Sequence, residues 1–350
     1  MSPNLTILIS ILLYSSAIFC LYLMLLNRYL ILIPDSKFKG PIIYSGFILV
    51  ACSGIGLGIL FSNSPWLYAP IVLLGLIFIG EIRRLLIRQS SIGSPPVESS
   101  PHKIDLTQPM TTTDIAYHRY ELHIPEWKGP KFRIAHLTDF HIQHNLPMEY
   151  YIQVLEMAKQ MNPDLAFFTG DFITKTEDIS LLQKIIYPIG RIGSYGVLGN
   201  HDYWADPNKV SSVVKEKGIT LLTNETITVP IDGHEIMLTG YDYPWGTHHQ
   251  AISPSENGTL HFVLSHTPDN IYRISKSKAD GVFSGHYHGG QLRIPILGSV
   301  IIPSKYGRRF DEGHFIVNGT HLFIPSGIGA ASPSFRIYCK PSIFIIDVST

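Results

Sequence analysis

Apolar residues are concentrated in the first quarter of the chain. Residues 5–26 and 42–61 contain no charged side chain, and a third apolar run covers residues 67–82 with one acidic residue near its end. A helix needs about 20 apolar residues to cross the hydrocarbon core of a bilayer. The pattern therefore predicts a transmembrane region over residues 1–88, with about three spans at these positions.

The charges that flank these runs predict their orientation. Six basic residues lie between the first and second runs or after the third, namely Arg28, Lys37, Lys39, Arg83, Arg84 and Arg88. Under the positive-inside rule these segments face the cytoplasm, and so does the chain that follows them. Two alternatives stay open: the second and third runs could form a re-entrant hairpin, and all three could be buried helices of a soluble bundle.

A short polar segment separates this region from a second domain. Residues 89–103 are rich in serine, proline and glycine, a composition typical of a linker. Between residues 104 and 350, short apolar runs alternate with segments of helical periodicity such as Met148–Met161. Buried strands are predicted at residues 132–137, 165–169, 195–198, 261–265 and 281–284, with further strands at 292–296, 300–302, 314–317, 321–324 and 342–348. This order indicates an α/β domain over residues 104–350.

The composition excludes some classes of function. The chain has 27 basic and 27 acidic residues, and its formal net charge of zero gives no general attraction to nucleic acid. Its three cysteines, Cys20, Cys52 and Cys339, have neither the spacing of a metal site nor that of a disulfide framework. We therefore expect no nucleic-acid partner, and nothing in the sequence implies an obligate protein partner.

Polar residues with the chemistry of metal ligands follow the predicted strands. They are Asp139, His141, Asp171, Asn200, His201, Asp202, His266, His286 and His288. Oxygen and imidazole groups without a thiolate suit Mn²⁺, Fe or Zn²⁺. Residues two apart in extended backbone point to the same side, so each Asp-x-His or His-x-His pair can face one centre. A pair of metals about 3.5–4 Å apart needs a bridging carboxylate, and we predict Asp171 because Gly170 permits a tight turn beside it.

The order of these motifs resembles the calcineurin-like metallophosphoesterase superfamily over about residues 130–348. The series is Asp139-Phe140-His141, Gly170-Asp171, Gly199-Asn200-His201-Asp202, His266 and Gly285-His286-Tyr287-His288. Only Thr138 and Tyr287 depart from the residues common in the family, and neither is a ligand. The resemblance implies a four-layer α/β/β/α sandwich of two mixed sheets, here preceded by transmembrane helices.

The resemblance also implies a role for each site residue. It implies that one metal is held by Asp139, His141, Asp171 and His288, and the other by Asp171, Asn200, His266 and His286. Both would be divalent ions, with Mn²⁺ as the first choice and Fe or Zn²⁺ as alternatives. A metal-bound hydroxide would attack phosphorus in line with the leaving group. His201 would stabilise the transition state or protonate the leaving oxygen, with Asp202 orienting its imidazole.

The end of the chain narrows the resemblance to a membrane-anchored bacterial branch. The residues concerned are Gly289-Gly290-Gln291-Leu292-Arg293, Gly327-Ile328-Gly329 and Arg336. The greatest likeness is to the pyrophosphatases that split UDP-2,3-diacylglucosamine into UMP and 2,3-diacylglucosamine 1-phosphate in lipid A biosynthesis. This implies a lipid-linked nucleotide as substrate and a multi-pass protein of the bacterial inner membrane, with its catalytic domain in the cytoplasm. The alternatives are another phospholipid or nucleotide substrate, and a membrane scaffold without catalysis.

A basic cluster follows the last predicted ligand. Lys305, Arg308 and Arg309 lie within five residues of one another. Such a cluster can bind a diphosphate or anionic lipid headgroups. We include it as a candidate substrate-binding site, with an ordinary solvated surface as the alternative.

Overall fold

The structure of the protein is a computed structural model. It describes residues 2–29, 38–100, 105–246, 252, 254, 259–331 and 333–350. Lys37 and the expected domain boundary at residue 104 lie outside these ranges. The chain divides into two compact units, the first formed by Met1–Ser90 with Ile301–Arg309 and the second by Ser91–Val300 with Phe310–Thr350.

Three long helices make up most of the first unit, α1 (Pro3–Arg28), α2 (Lys39–Phe61) and α3 (Ala69–Ser91). By length and composition, α1 and α2 are able to cross a membrane, which suggests that the protein is associated with one. The uncharged part of α3, residues 69–80, would rise only about 18 Å at 1.5 Å per residue. This is short of the roughly 30 Å hydrocarbon core. Among the described residues, two helices rather than three therefore meet the requirements of a span.

Glycines allow α1 and α2 to pack closely. A Cβ atom at Gly54 would lie 2.7 Å from the Ser15 Cα, and one at Gly58 would lie 2.4 Å from the Ile11 Cα. Any larger side chain would therefore separate the two helices. The outward faces of the three helices carry large exposed apolar side chains, among them Leu12, Ile48, Leu49, Leu60 and Phe78.

Two β-sheets form the second unit. From edge to edge, the first contains β1 (Glu98–Ser99), β2 (Ala116–His123), β15 (Ser342–Ser349), β3 (Phe132–Leu137), β4 (Leu165–Thr169), β5 (Gly193–Val197) and β6 (Thr220–Leu221). The second contains β13 (Gly313–Val317), β14 (Thr320–Ile324), β10 (Gly281–Phe283), β9 (Leu260–Leu264), β8 (His234–Gly240) and β7 (Thr226–Ile231). Both sheets contain parallel and antiparallel pairs. A separate pair is formed by β11 (Arg293–Ile294) and β12 (Gly298–Ser299).

Helices cover the sheets on their outer faces. They are α4 (Met148–Gln160), α5 (Ile179–Ile185), α6 (Asn200–Ala205), α7 (Pro207–Glu216) and α8 (Ile271–Ile274). One apolar core lies between the two sheets, and a second lies between the first sheet and α4, α5 and α7. Because the inner face of the second sheet is filled by the first core, the β9–β10 crossover with α8 must run on its outer face. The predicted four-layer sandwich of two mixed sheets is confirmed.

Local sequence signals set several boundaries. β7 and β8 are joined by Asp232 and Gly233, whose φ angles of 43° and 83° are those of a type I′ turn. Pro207 opens α7, and the Asp206 carboxylate accepts the Lys209 backbone N–H at 3.1 Å. These turn and cap residues position the strands and helices as the hydrophobic pattern predicts.

Three segments differ from the sequence-based expectations. Residues 300–302 do not form the predicted strand, because Ile302 is buried in the helical unit, where its N–H donates to the Asn27 side chain at 2.8 Å. The expected linker at residues 89–103 contains β1, which pairs with β2 through backbone hydrogen bonds. The strand predicted at residues 195–198 is instead β5, Gly193–Val197, and Leu198 and Gly199 separate it from α6, which begins at Asn200.

Candidate metal centre

The seven predicted ligands follow the carboxyl ends of five strands, β3, β4, β5, β9 and β10. They are Asp139, His141, Asp171, Asn200, His266, His286 and His288, and all are buried. Strand ends on one edge of an α/β fold form its usual site for ligands. The fold therefore brings together residues that are up to 149 positions apart in the chain.

The ligand atoms form two groups that share Asp171. The first group is Asp139, His141, Asp171 and His288, and the second is Asp171, His266 and His286. Within each group the ligand atoms all lie within 4.8 Å of one another. Asn200 adjoins the second group, since its Oδ1 lies 3.1 Å from His266 Nε2. The two groups correspond to the two ligand sets that the resemblance implied.

Asp171 Oδ2 lies where the two groups meet. This oxygen is 3.4 Å from His141 Nε2 and 3.2 Å from His266 Nε2. It is buried and accepts no hydrogen bond of normal geometry from the described residues, whereas Oδ1 accepts the His201 backbone N–H at 2.8 Å. A buried carboxylate oxygen without a donor is costly, and a divalent cation on either side would satisfy it. The residues present thus fit a pair of divalent cations bridged by Asp171.

Five of the ligands have a backbone conformation that residues with a side chain rarely adopt. The φ angles are 51° at Asp139, 42° at His141, 53° at Asp171, 68° at His286 and 51° at His288. Left-handed residues of this kind are strained by about 1–3 kcal/mol each and are typical of functional sites. The ligands are therefore not in the extended backbone that was predicted: their side chains converge through left-handed turns, and His286 and His288 join different groups.

Gly170 permits the close approach of the loops after β4 and β5. Its φ angle is 90°, and a Cβ atom there would lie 2.5 Å from the Gly199 backbone nitrogen and 2.8 Å from His266 Nδ1. No side chain fits this space. The tight turn predicted beside Asp171 thus requires glycine at residue 170.

Hydrogen bonds to the Nδ1 atoms of two imidazoles direct their Nε2 atoms toward the candidate metal site. His266 Nδ1 lies 2.6 Å from the Thr169 carbonyl oxygen, and His141 Nδ1 lies 3.1 Å from the Thr174 hydroxyl. Metal-binding histidines are usually held in this way, because a partner on one nitrogen fixes the tautomer and directs the other nitrogen to the metal. In both residues Nε2 is the nitrogen that points at Asp171.

Burial and mutual charge give the ligands different protonation states. Burial raises the pKa of Asp171, but the charges of His266 and His201 outweigh it and hold this pKa well below its ordinary value. Burial lowers the pKa of His266, yet Asp171 and Asp139 outweigh burial and raise it to about 9. Burial lowers the pKa of His286 well below its usual range. Without metal, therefore, an ionised Asp171 is paired with a protonated His266.

His201 and Asp202 have different surroundings although they are adjacent. The two oxygens of Asp202 accept backbone N–H groups, from Gly199 at 2.9 Å and from Ile173 at 3.2 Å. Burial raises the pKa of Asp202 to about 7. The His201 ring lies edge-on to the His141 ring, with 4.7 Å between their centroids. Asp202 thus fixes the loops after β4 and β5, and its role in orienting His201 stays a prediction.

Arg336 was not identified as a site residue from the sequence. It is fully buried, and its guanidinium donates to the carbonyl oxygens of Ser326 at 2.8 Å, Gly329 at 2.9 Å and His288 at 3.2 Å. No carboxylate in the described part of the chain forms an ion pair with it. A buried cation is retained only where several acceptors compensate it. Arg336 therefore joins the loop that carries His288 to residues 326–329, and a lone arginine in an irregular segment gives no sequence signal of that role.

Trp245 borders the second ligand group. Its ring centroid lies 5.6 Å from that of His266 and 5.3 Å from that of His286, in edge-to-face geometry. The structure therefore adds an aromatic wall next to two ligands.

The basic cluster is not in the unit that carries the ligands. Lys305, Arg308 and Arg309 belong to the helical unit. There the Arg308 guanidinium pairs with Glu81 at 2.7 Å, and the Arg308 carbonyl oxygen accepts from Arg84 at 2.7 Å. The role of this cluster in binding substrate stays a prediction.

A comparison with known protein families agrees with this site. Residues 132–290 match the family described as calcineurin-like phosphoesterase. This match contains every predicted ligand. Over residues 132–290 the chain is therefore similar to calcineurin-like metallophosphoesterases, and the protein is a hydrolase with a metal-binding site.

Alignments with individual curated proteins cover more of the chain than the family match does. The chain is 27% identical to the uncharacterized metallophosphoesterase YkuE of Bacillus subtilis, over 71% of this chain and 87% of that protein. It is 24% identical to phosphodiesterase YaeI of Escherichia coli, over 66% of this chain and 87% of that protein. It is 25% identical to the UDP-2,3-diacylglucosamine pyrophosphatase LpxG of Chlamydia trachomatis, over 48% of this chain and 69% of that protein.

Proposed function

We propose that the protein hydrolyses the diphosphate of UDP-2,3-diacylglucosamine at two divalent metal ions, giving UMP and 2,3-diacylglucosamine 1-phosphate. The observation that carries the two-metal reaction is the pair of buried ligand groups that share Asp171. The proposed ions are Mn²⁺, with Fe or Zn²⁺ as alternatives. When bound, such a pair acidifies water to a nucleophile and neutralises charge on phosphoryl oxygens.

The residues of the chain would have separate roles in metal binding and in proton transfer. Asp139, His141 and His288 would hold one cation, Asn200, His266 and His286 the other, and Asp171 both. Water would add to phosphorus as the bond to the leaving oxygen breaks, and His201 would give that oxygen a proton or stabilise its charge. The backbone N–H of His201 donates to Asp171 at 2.8 Å, which supports a position beside the reacting group.

The lipid-linked substrate rests on the helices and on one set of relatives. Two chlamydial relatives carry the name of a UDP-2,3-diacylglucosamine pyrophosphatase. Two apolar helices would keep the enzyme on a bilayer, where a lipid-linked substrate diffuses in the same plane. The basic residues that flank the helices support a multi-pass protein of the inner membrane with a cytoplasmic catalytic domain. The bilayer and the lipid-linked nucleotide would then be its partners.

The test is a direct assay of products. Full-length protein in detergent, loaded with Mn²⁺, is given UDP-2,3-diacylglucosamine, and UMP is quantified by chromatography. We expect UMP release by the wild type and by Glu177→Gln, a variant of an exposed acid, and none by Asp171→Asn. If UMP is not released while a generic phosphodiester is hydrolysed, the substrate is wrong and the metal site is right.

A second substrate class has its own support. The phosphodiesterase YaeI is matched over 87% of its length, more than the 69% of LpxG. Hydrolysis of another phospholipid or nucleotide diester is therefore the alternative, and a substrate panel separates the two. A membrane scaffold without catalysis is the third hypothesis, and fewer than one metal ion per purified chain would support it.

A further inference from the structure

Charge in the helical unit is confined to one end of the helices. Residues 2–27 and 40–80 contain no charged side chain. The described charged residues of this unit are eight basic ones, Arg28, Lys39, Arg83, Arg84, Arg88, Lys305, Arg308 and Arg309, and one acidic one, Glu81. Eight positive charges and one negative charge leave a net charge of +7. Like charges at this density repel one another unless anions compensate them.

Residues 301–309 are folded onto the helices. Asn27, in the last turn of α1, accepts the Ile302 N–H on its side chain at 2.8 Å. In the second half of α3, Arg84 donates to the Arg308 carbonyl oxygen and Glu81 pairs with the Arg308 guanidinium, both at 2.7 Å. The segment therefore bridges the C-terminal end of α1 and the charged half of α3.

Two cations lie near one aromatic ring in this segment, and a third approaches the turn beside it. Lys305 Nζ and the Arg309 guanidinium each lie 5.4 Å from the centroid of the Tyr306 ring. A Cβ atom built on Gly307 would lie 3.7 Å from Arg28 Nε, so the end of α1 reaches the same turn. Tyrosine is enriched at the membrane–water interface, and lysine and arginine are enriched in the loops on its cytoplasmic side.

The other end of the helices has the opposite character. The connection from α2 to α3 carries no charge and exposes Trp66 and Tyr68, at 64% and 63% of their surface. Uncharged aromatic residues at one end and basic residues at the other are the arrangement expected of helices that cross a bilayer with an anionic inner leaflet. The basic end would then lie at the level of lipid phosphates.

We propose that residues 301–309 form, with Arg28, a binding site for the phosphate groups of anionic phospholipids at the membrane surface. The site would take a phosphodiester headgroup such as that of phosphatidylglycerol, held by Lys305 and Arg309, whose charged groups both lie near the Tyr306 ring. The inference rests on the proposed membrane location and not on the proposed substrate. It assigns the basic cluster to the bilayer, one of the two roles that the sequence left open.

The test measures lipid selectivity of the full-length protein. Nanodiscs of phosphatidylcholine receive a trace of spin-labelled phosphatidylglycerol or spin-labelled phosphatidylcholine, and the immobilised fraction gives the relative affinity. We expect the wild type to prefer phosphatidylglycerol several-fold in 50 mM NaCl and the Lys305→Gln/Arg309→Gln variant to lose most of this preference. Lys175→Gln/Lys209→Gln, which removes two exposed charges from the other unit, is the matched control and should behave as the wild type.

Two further measurements can decide the question if the double variant folds poorly. Lys305→Arg/Arg309→Lys keeps both charges and should keep the preference. The preference of the wild type should fall on transfer to 500 mM NaCl, because salt screens exposed charges, and 10 mM inorganic phosphate should not abolish it. The proposal is overturned if the wild type shows no preference, if the glutamine variant keeps it, or if free phosphate competes fully. UMP release, assayed separately, reports on the proposed function alone.

Discussion

The helical unit and the α/β unit distribute charged and apolar residues in opposite ways. In the helices, Ile48 and Leu60 are 67% and 68% exposed, and charge is restricted to one end. In the α/β unit, Asp139 and Asp171 are almost completely buried and apolar residues fill the space between layers. The two units therefore suit different surroundings: hydrocarbon would stabilise the exposed apolar faces of the helices, and cations would stabilise the buried carboxylates.

Loss of the shared carboxylate should have the largest effect. Asp171→Ala removes a ligand from both groups, so we expect fewer than one metal ion per chain and a fall in turnover of at least about 10³-fold, because metals supply several kcal/mol. Elemental analysis and a phosphodiester assay measure the two effects. Glu177→Gln, the exposed control, should change neither. A variant that keeps two ions would show that Asp171 is not the bridge.

Removal of the His201 imidazole should slow the reaction without changing metal binding. His201→Ala should keep the wild-type metal content, because the residue lies outside both ligand groups. Turnover should fall by about 10²–10⁴-fold, the usual contribution of a general acid. Normal turnover with normal metal content would remove His201 from the mechanism.

Replacement of Arg336 should act on the metal through His288. Arg336→Lys keeps the charge but cannot reach three loop carbonyls at once, so we expect Mn²⁺ affinity to fall by about 10–100-fold, as with other residues that orient ligands. Calorimetric titration with Mn²⁺ measures this. Arg191→Lys alters an exposed ion pair and is the control. Equal Mn²⁺ affinities in the two variants would mean that Arg336 does not position His288 for metal binding.

Metal affinity should also rise with pH. The pKa of His266 is about 9 in the metal-free site, so below this pH its imidazolium must lose a proton before it can bind a cation. Affinity for Mn²⁺ should rise by about tenfold per pH unit between pH 7 and 8.5 and level off above pH 9. Titrations across this range test the prediction. An affinity that is constant over it would mean that His266 carries no proton in the free site.

The smallest effect is expected in the helical unit. Gly58→Leu places a side chain against the α1 backbone, whereas a Cβ atom at Gly56 has no neighbour within 4 Å. We expect Gly58→Leu to destabilise the helix pair by about 1–3 kcal/mol, the cost of overpacking, and Gly56→Leu to be neutral. Unfolding in detergent with increasing SDS compares the two. Equal effects would mean that α1 and α2 do not pack through this face.

The positions of strands along the chain and the candidate ligands could be predicted because each depends on a local pattern. β3 and β4 have their predicted limits, since continuous apolar runs end at polar residues there. The left-handed turns at Asp139 and His286 could not be predicted, because the surrounding fold imposes them against the preference of the residues. The same is true of Arg336, whose partners are backbone carbonyls from distant segments. Residues 300–302 were misread as a strand because burial against helices gives the same apolar signal.

In the proposed metal centre, two ions share Asp171. The most direct measurement is electron paramagnetic resonance of the purified full-length protein loaded with Mn²⁺, combined with elemental analysis. We predict two ions per chain and the spectrum of an exchange-coupled pair, which Asp171→Ala abolishes. Two ions with the spectrum of isolated Mn²⁺, or a single ion per chain, would contradict a bridged pair at this site.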